Sequence, residues 1–318
     1  MAASPVVVCL GEALVDRLGP LGGDPAVNQP IDDRLGGAPA NVACGLARLG
    51  TPAAFAGRLG QDVIGDAFVA LFDDRGIDRT LLQRDRQLPS RIVLVRRFHN
   101  GERQFQGFSG DQGQGFADQA LEPSALPISQ WLLVGTLPLA APTSKAALHV
   151  AVQQAHKLGT ALALDVNWRP TFWDSTVDPE SGPNYRAMEL IRPLLEQAAL
   201  IKLSREEALW CFSTEDPVAI RAALPQEPDV VVTNGAAPVR WCLEDQAGTQ
   251  PAFHPSQVID TTGAGDAFTA GLLHLWRAKP AERIRFAAAC GALVCSGAGG
   301  IDPCPTEAQV VRFLGGVS

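Results

Sequence analysis

The segment Asp260-Thr-Thr-Gly-Ala-Gly-Asp266 places a carboxylate and two glycines at the start of a helical pattern. Glycine at 263 and 265 leaves backbone N–H groups open to an anion, and Asp266 follows them directly. A carboxylate there can take the proton of an attacking alcohol while the N–H groups stabilise a transferring phosphate. The same residues also fit a simple turn in which Asp266 complements the helix dipole. The segment alone leaves both interpretations open.

A second polar turn, residues 34–41 (Arg-Leu-Gly-Gly-Ala-Pro-Ala-Asn), precedes an alanine-rich helical pattern. The Asn41 amide can both donate and accept hydrogen bonds, which suits sugar hydroxyls. Glu12 and Asp16 follow the first apolar segment and add carboxylates of the kind that fix polyols. Asn41 as a helix cap and Asp16 as a solvated loop acid are the structural alternatives.

Arg169 ends the segment Asp165-Val-Asn-Trp-Arg169, which follows the apolar sequence ALAL. This position is the carboxyl end of a predicted strand, where open α/β sheets bind ligands. A guanidinium there can hold a phosphate or another substrate anion through two hydrogen bonds. A turn held by Asp165, with Arg169 exposed beside it, is the alternative.

Two further strand ends carry polar groups. Ser204 and Glu207 have the spacing of a capping box, and Glu207 could instead act through water on Mg²⁺, which keeps several waters and needs few carboxylates. Thr233 and Gly235, in the sequence VVTNG, suit a phosphate or ribose contact but are also common in loops. These residues form a candidate nucleotide and magnesium site.

Strands and helices must bring these side chains together, and the pattern of apolar residues predicts where the strands and helices lie. Short apolar segments alternate with helical patterns along the chain, which predicts a doubly wound, mainly parallel α/β sheet flanked by helices. The predicted strands are residues 6–10, 131–134, 161–165, 200–203 and 230–233. The predicted helices are residues 41–49, 67–72, 144–157, 186–196 and 205–212.

Residues 12–36 and 88–110 depart from this alternation and predict a small β-sheet that acts as a lid. Within the second segment, residues 90–108 read as a hairpin whose turn is Asn100-Gly101. We find no internal repeat and no long linker, so residues 1–318 are expected to form a single domain. The exposed edges of such a sheet could also pair between two subunits, which makes a homodimer plausible.

Composition narrows the function classes. The chain has 26 basic and 34 acidic residues, a formal charge of −8, and no long basic cluster, which argues against nucleic-acid or membrane-surface binding. Neither a targeting signal nor a membrane span is expected, so we predict a cytoplasmic protein. The seven cysteines and five histidines are scattered, which predicts reduced thiols and argues against a transition-metal site. P-loop and dinucleotide-binding fingerprints are also missing.

Residues 36–50 (GGAPANVACGLARLG) and 260–273 (DTTGAGDAFTAGLL) resemble the two signatures of the ribokinase-like (PfkB) sugar kinases. The resemblance covers nearly the whole chain. It implies that Asp266 is the general base, that residues 263–265 form the anion hole, and that ATP and Mg²⁺ are used. It further implies several binding residues. These are Asp16, Gly37 and Asn41 for sugar, Ser204, Thr233, Gly235 and Gly265 for nucleotide, Glu207 for magnesium through water, and Asp260 and Thr262 for a monovalent cation such as K⁺.

Three segments are similar to fructokinases within that family: Gly-Glu-Ala-Leu-Val-Asp at 11–16, Gly-Glu-Arg-x-Phe at 101–105, and Asp-x-Asn-x-Arg at 165–169. The resemblance thus implies 6-phosphorylation of D-fructose (EC 2.7.1.4). From their residue types and positions, Glu12 and Arg169 are also expected in the sugar site. A Gln/Gly-rich segment at 109–116 departs from the fructokinase pattern. Ribokinase and 2-keto-3-deoxygluconate kinase are the alternatives within the family, and a non-catalytic regulatory relative is the alternative outside enzymes.

Overall fold

A computed structural model describes residues 5–29, 32–98, 103–111 and 113–316. Thirteen strands form two sheets within these residues. The strands are β1 (Val7–Leu10), β2 (Leu14–Leu21), β3 (Asp32–Gly36), β4 (Ala53–Gly60), β5 (Leu82–Asp85), β6 (Ile92–Arg97), β7 (Arg103–Ser109), β8 (Trp131–Val134), β9 (Ala161–Asp165), β10 (Leu200–Ser204), β11 (Asp229–Thr233), β12 (Val239–Leu243) and β13 (Gln246–Gln250).

The large sheet has nine strands in the order β13-β12-β11-β10-β9-β8-β1-β4-β5. The seven strands from β11 to β5 pair in parallel, and only β12 and β13 add antiparallel pairs at one edge. Strand β1 shows why its sequence is uniformly apolar. Val7 and Cys9 pack into the core on one face of the sheet, and Val8 and Leu10 pack into the core on the other. The predicted doubly wound α/β fold is confirmed.

Helices cover both faces of this sheet. On one face lie α1, α8 and α9, and on the other α3 and α5. The helices are α1 (Ala38–Leu49), α2 (Val63–Arg75), α3 (Pro142–Leu158), α4 (Pro170–Trp173), α5 (Tyr185–Leu195), α6 (Arg205–Phe212), α7 (Pro217–Ala222), α8 (Ala264–His274), α9 (Pro280–Val294) and α10 (Glu307–Gly316).

The first helix begins earlier than the sequence predicted. Helix α1 starts at Ala38 rather than at Asn41, with Gly37 as its N-cap and Pro39 in its first turn. Proline suits a first turn because its missing N–H would have no helical acceptor there. The interpretation of Asn41 as a helix cap is therefore wrong, since this residue lies inside the helix.

The second sheet has four strands in the order β3-β2-β6-β7. Strands β2 and β6 pair in parallel, and β3 and β7 pair antiparallel to them at the two edges. The predicted hairpin at 90–108 is present as β6 and β7. Its predicted turn, Asn100-Gly101, lies outside the described residues.

All seven cysteines are described and free, six of them buried and Cys211 partly exposed. Burial raises the pKa of the Cys44 thiol to about 12, so this side chain stays protonated as a core residue. Within the described ranges, none of the helices has the length and apolar character needed to cross a membrane.

Candidate active site

A cavity of about 870 Å³ lies between the large sheet and the small one. Glu12, Asn167 and Ser204, at or just after the carboxyl ends of β1, β9 and β10, line it from the large sheet. Val93 of β6 and Phe105 of β7 line it from the small sheet. The cavity thus occupies the edge at which parallel α/β sheets bind ligands.

Most of the residues predicted from the sequence meet in this cavity. Those that line it are Glu12, Asp16, Gly37, Asn41, Arg169, Ser204, Glu207, Thr262, Gly263, Ala264, Gly265 and Asp266. The predicted residues outside the lining are Thr233, Gly235 and Asp260.

Helix α8 begins in the cavity wall at the glycine turn. Its N-cap, Gly263, has a φ of 76°, a left-handed conformation that favours glycine. A Cβ at this position would also overlap the Cα of Gly300. Both the backbone conformation and the close contact with Gly300 therefore favour glycine at 263. The first N–H groups of a helix lack intrahelical acceptors and attract an anion, although that of Ala264 already donates to the Thr261 carbonyl at 3.2 Å.

Asp266 lies in the first turn of α8 and lines the cavity. Its Oδ2 accepts a hydrogen bond from Asn41 Nδ2 at 2.7 Å, which joins α8 to α1. Burial, followed by repulsion from Asp165, raises the pKa of Asp266 to about 6, while Asn41 and Lys202 oppose the rise. A carboxylate of that pKa is ionised at neutral pH and can still accept a proton readily.

The first strand and the first helix meet at Glu12. Its Oε1 accepts a hydrogen bond from the Ala38 N–H, at the start of α1, at 3.0 Å. Burial raises the pKa of Glu12 to about 8, so this carboxyl is protonated at neutral pH. Gly37 has a φ of 101°, and a Cβ there would lie 2.7 Å from the Glu12 carbonyl oxygen. With Asp16 on β2, these groups form a polar wall beside Asn41.

Arg169 is the exposed N-cap residue of the short helix α4. Its Nη1 donates to the Trp168 carbonyl at 2.9 Å, and the guanidinium is close enough to Asp266 to favour the ionised carboxylate. Two residues earlier, Asn167 adopts a left-handed φ of 41° and also lines the cavity. The positive charge of Arg169 therefore lies at the cavity wall and acts electrostatically on Asp266.

Ser204 and Glu207 form the predicted capping box at the start of α6. Glu207 Oε2 accepts the Ser204 N–H at 2.7 Å, and its Oε1 accepts the Trp168 N–H at 2.7 Å. Each oxygen keeps a lone pair that can accept from a metal-bound water. In the described ranges, no group of three or more His, Cys, Asp or Glu is placed to hold a metal.

Three predicted residues lie behind or beside the cavity wall. Asp260 is buried, and its two oxygens accept the N–H groups of Thr262 at 2.9 Å and Gly299 at 2.8 Å. Asp260 thus ties the turn before α8 to the turn at 299. Thr233 ends β11, where its hydroxyl donates to the Leu203 carbonyl at 3.3 Å, and Gly235 follows with a φ of 51°.

The structure adds a buried ion pair that the sequence did not predict. Lys202 of β10 lines the cavity, and its Nζ lies 3.0 Å and 3.1 Å from the two carboxylate oxygens of Asp165 on β9. The signal in the sequence was a lysine inside the otherwise apolar segment LIKL at 200–203. Because a buried lysine needs a partner, it indicated a carboxylate close by without identifying which one.

An aromatic cage around Arg91 anchors the small sheet. The Arg91 guanidinium forms two hydrogen bonds with Asp118, at 2.8 Å and 3.0 Å. Its central carbon lies 4.7 Å, 4.3 Å and 4.9 Å from the ring centres of Phe108, Phe116 and Phe172. These contacts link β7 to α4, and Phe172 itself lines the cavity.

Comparisons with known proteins agree with this geometry. The pfkB family carbohydrate kinase pattern matches residues 5–307. A probable chloroplastic fructokinase-6 of Arabidopsis thaliana is 32% identical over 98% of this chain and 83% of its own length. A fructokinase of Klebsiella pneumoniae is 33% identical over 96% of this chain and 98% of its own. Among solved structures, a fructokinase from Xylella fastidiosa with bound ATP superposes with a TM-score of 0.81 at 26% identity, covering 98% of both chains.

Proposed function

Because the chain belongs to the pfkB family of carbohydrate kinases, we propose that it is a fructokinase, which transfers the γ-phosphate of ATP to the 6-hydroxyl of D-fructose. Asp266 is the general base, and the backbone at 263–265 is the anion hole. The observation that carries this assignment is the partly buried Asp266 carboxylate, which accepts a hydrogen bond from Asn41 at the start of α8 and lines the cavity.

In the proposed reaction, the sugar 6-oxygen forms a bond to the γ-phosphorus as the bond from this phosphorus to the β-phosphate oxygen breaks. The hydroxyl proton passes to Asp266, and ADP leaves. The N–H groups at the start of α8 and the Arg169 guanidinium stabilise the charge on the transferring group. Asp266 is suited to this role because it stays ionised above a pKa of about 6.

The sugar subsite consists of Glu12, Asp16, Gly37, Asn41 and Arg169. Glu12, protonated at neutral pH, can donate to a hydroxyl, while Asp16 accepts. The choice of fructose is supported by the names of the sequence relatives. Ribose and 2-keto-3-deoxygluconate remain the alternatives, the second because Arg169 is able to hold a carboxylate.

The nucleotide subsite comprises Ser204, Thr233, Gly235 and Gly265. Magnesium, when bound with ATP, neutralises charge on the β- and γ-phosphates. Glu207 would hold it through water, with the lone pairs that its two backbone contacts leave available. A K⁺ site at Asp260 and Thr262, next to the anion hole, completes the proposed set of cofactors.

Residues 12–36 and 88–110 are the proposed lid of a single domain. Val93 and Phe105 present apolar surface to the cavity from this side. Closure over bound sugar would exclude water and so limit wasteful hydrolysis of ATP. The Arg91 cage supports this function because it fixes the base of the lid against α4.

A substrate panel tests the proposal. With Mg-ATP, we expect kcat/KM for fructose to exceed that for ribose, 2-keto-3-deoxygluconate and adenosine by about tenfold or more. Asp266→Asn should lower kcat for fructose by about 10²- to 10⁴-fold. The matched control, Asp74→Asn on the surface of α2, should leave kcat unchanged, since this side chain is 81% exposed.

Other outcomes of the panel select the alternatives. Faster turnover of ribose or 2-keto-3-deoxygluconate would replace fructose as the substrate. Equal turnover by Asp266→Asn would refute the mechanism. A wild-type protein that binds a protein partner and turns over none of the four compounds would support the non-catalytic regulatory function.

A further inference from the structure

Lys202 lies beneath the first turn of α8 and forms an ion pair with Asp165. The proposed reaction assigns no role to this pair. The residue is 8% exposed, and its Nζ contacts both carboxylate oxygens of Asp165. Thr269, one turn further along α8, donates its hydroxyl hydrogen to Asp165 Oδ2 at 2.9 Å. The pair therefore joins β9, β10 and α8 at the floor of the cavity.

The position of the Lys202 ammonium gives a reason for glycine at position 265. Gly265 is absent from the residues with left-handed φ among those described, so its backbone would accept other residue types. A Cβ there would lie 2.9 Å from Lys202 Nζ. The bare backbone of Gly265 thus lets a positive charge approach the anion hole from the protein side.

The charges that face Asp266 come from several elements. Asp165 on β9 raises the pKa of Asp266, after burial, whereas Lys202 on β10 and Arg169 before α4 lower it. Glu12 after β1 and the Cys304 thiol also interact with Asp266. Burial lowers the pKa of Lys202, but Asp165, Glu207 and Asp266 more than compensate, so its ammonium stays charged.

We propose that Lys202 is a positioning residue for phosphoryl transfer, an inference that rests on the proposed function: by compensating the Asp165 charge below Gly265, it keeps the Asp266 carboxylate ionised and ready to accept the sugar proton. Lys202 forms and breaks no bond in the reaction. Its charge acts on Asp266, which receives the proton as the sugar oxygen binds phosphorus.

The test is a titration of Asp266 in the ligand-free protein by NMR of ¹³C-labelled aspartate, with Asp266→Asn to assign the signal. Lys202→Met should raise the Asp266 pKa by about one unit, because Asp165 is left uncompensated. Asp165→Asn should lower it by about one unit, and the double variant should return near the wild-type value. Lys157→Met, an exposed lysine on α3, is the matched control and should leave the pKa unchanged.

If the ion pair were merely structural, Lys202→Met and Asp165→Asn would not shift the Asp266 pKa in opposite directions. If both single variants move the Asp266 pKa in the same direction, or neither moves it, the inference is overturned. Should Lys202→Met fail to fold, two other variants still test the inference. Asp165→Asn should lower the Asp266 pKa, and Lys202→Arg should leave it unchanged.

The titration needs no substrate, so it is independent of catalytic activity. An inactive wild type would refute the proposed function without changing the outcome of the titration. In an active enzyme, the fall of kcat/KM at low pH should move to higher pH in Lys202→Met and to lower pH in Asp165→Asn.

Discussion

Asp266, which is partly buried, and Glu12, which is buried, are two carboxyl groups of one cavity with different protonation at neutral pH. Burial raises the pKa of both, to about 6 for Asp266 and about 8 for Glu12. Asp266 differs because Asn41, Lys202 and Arg169 all favour its ionised form. At pH 7 the Asp266 carboxylate can therefore accept a proton, while the Glu12 carboxyl can donate a hydrogen bond.

Replacement of Glu12 by glutamine tests this difference. Glu12→Gln keeps a neutral group that can accept from the Ala38 N–H, so KM for fructose at pH 7 should stay within about threefold of wild type. Above pH 8 the wild-type KM should rise as Glu12 ionises, while that of the variant stays flat. KM measured from pH 6.5 to 9.5 checks this expectation, and a parallel rise in both proteins would contradict it.

Asp266 should also cost the protein stability. Its folded-state pKa of about 6 exceeds the ordinary 3.8, so the folded chain holds this proton where the unfolded chain has released it. The destabilisation of the folded protein by the ionised Asp266 carboxylate is therefore largest above about pH 6. It becomes smaller as the pH falls from about 6 to about 4, and it is absent at lower pH. Asp266→Asn should therefore raise the free energy of unfolding at pH 8 by about 1–3 kcal/mol.

Urea unfolding at pH 8 and at pH 4 measures this gain in Asp266→Asn. We expect the gain to disappear at the lower pH, with Asp74→Asn showing no gain at either. A loss of stability at pH 8 would mean that the hydrogen bond from Asn41 outweighs the burial of charge.

At the scale of elements, Gly263 holds the turn that starts α8. Gly263→Ala adds a Cβ at a φ of 76° that overlaps the Gly300 backbone, so it should cost about 2–4 kcal/mol of stability and lower kcat. Gly76→Ala is a matched control, because it has a similar φ of 66° in open space and should cost only about 1–2 kcal/mol. Equal losses in the two variants, measured by urea unfolding, would show that the contact with Gly300 carries no energy.

The sequence predicted five of the seven parallel strands closely (β1, β8, β9, β10 and β11), because each is an apolar segment that both core layers bury. It missed β4 and β5, and β5 has the polar sequence LQRD, which carries no apolar signal. It also located Asp266 and the glycine turn, where local backbone requirements fix the residue types. It missed the start of α1, since the glycines at 36 and 37 suggested a longer turn. It missed the pairing of Lys202 with Asp165 because these residues are 37 positions apart and meet only when β9 and β10 become neighbours.

At the scale of the whole molecule, the small sheet leaves two edges unpaired within the described residues, at β3 and β7. On the same small sheet, Leu21 at the end of β2 is 58% exposed, and Val27 between β2 and β3 is 71% exposed. Exposed strand edges and apolar side chains favour association with another chain. The chain is also acidic, with a formal charge of −8, so such association must overcome repulsion between two copies.

We propose that two copies associate through the small sheet, and we expect sedimentation to show a dimer that salt strengthens, since salt screens repulsion between like-charged chains. Leu21→Lys with Val27→Lys should convert the dimer to a monomer without lowering stability, because both side chains are already exposed. Val63→Lys, at an 84% exposed position on α2, should remain dimeric. Because the same sheet covers the sugar subsite, loss of the dimer should raise KM for fructose more than KM for ATP. A monomeric wild type at every salt concentration would contradict the assembly and leave closure of the lid as a property of one chain.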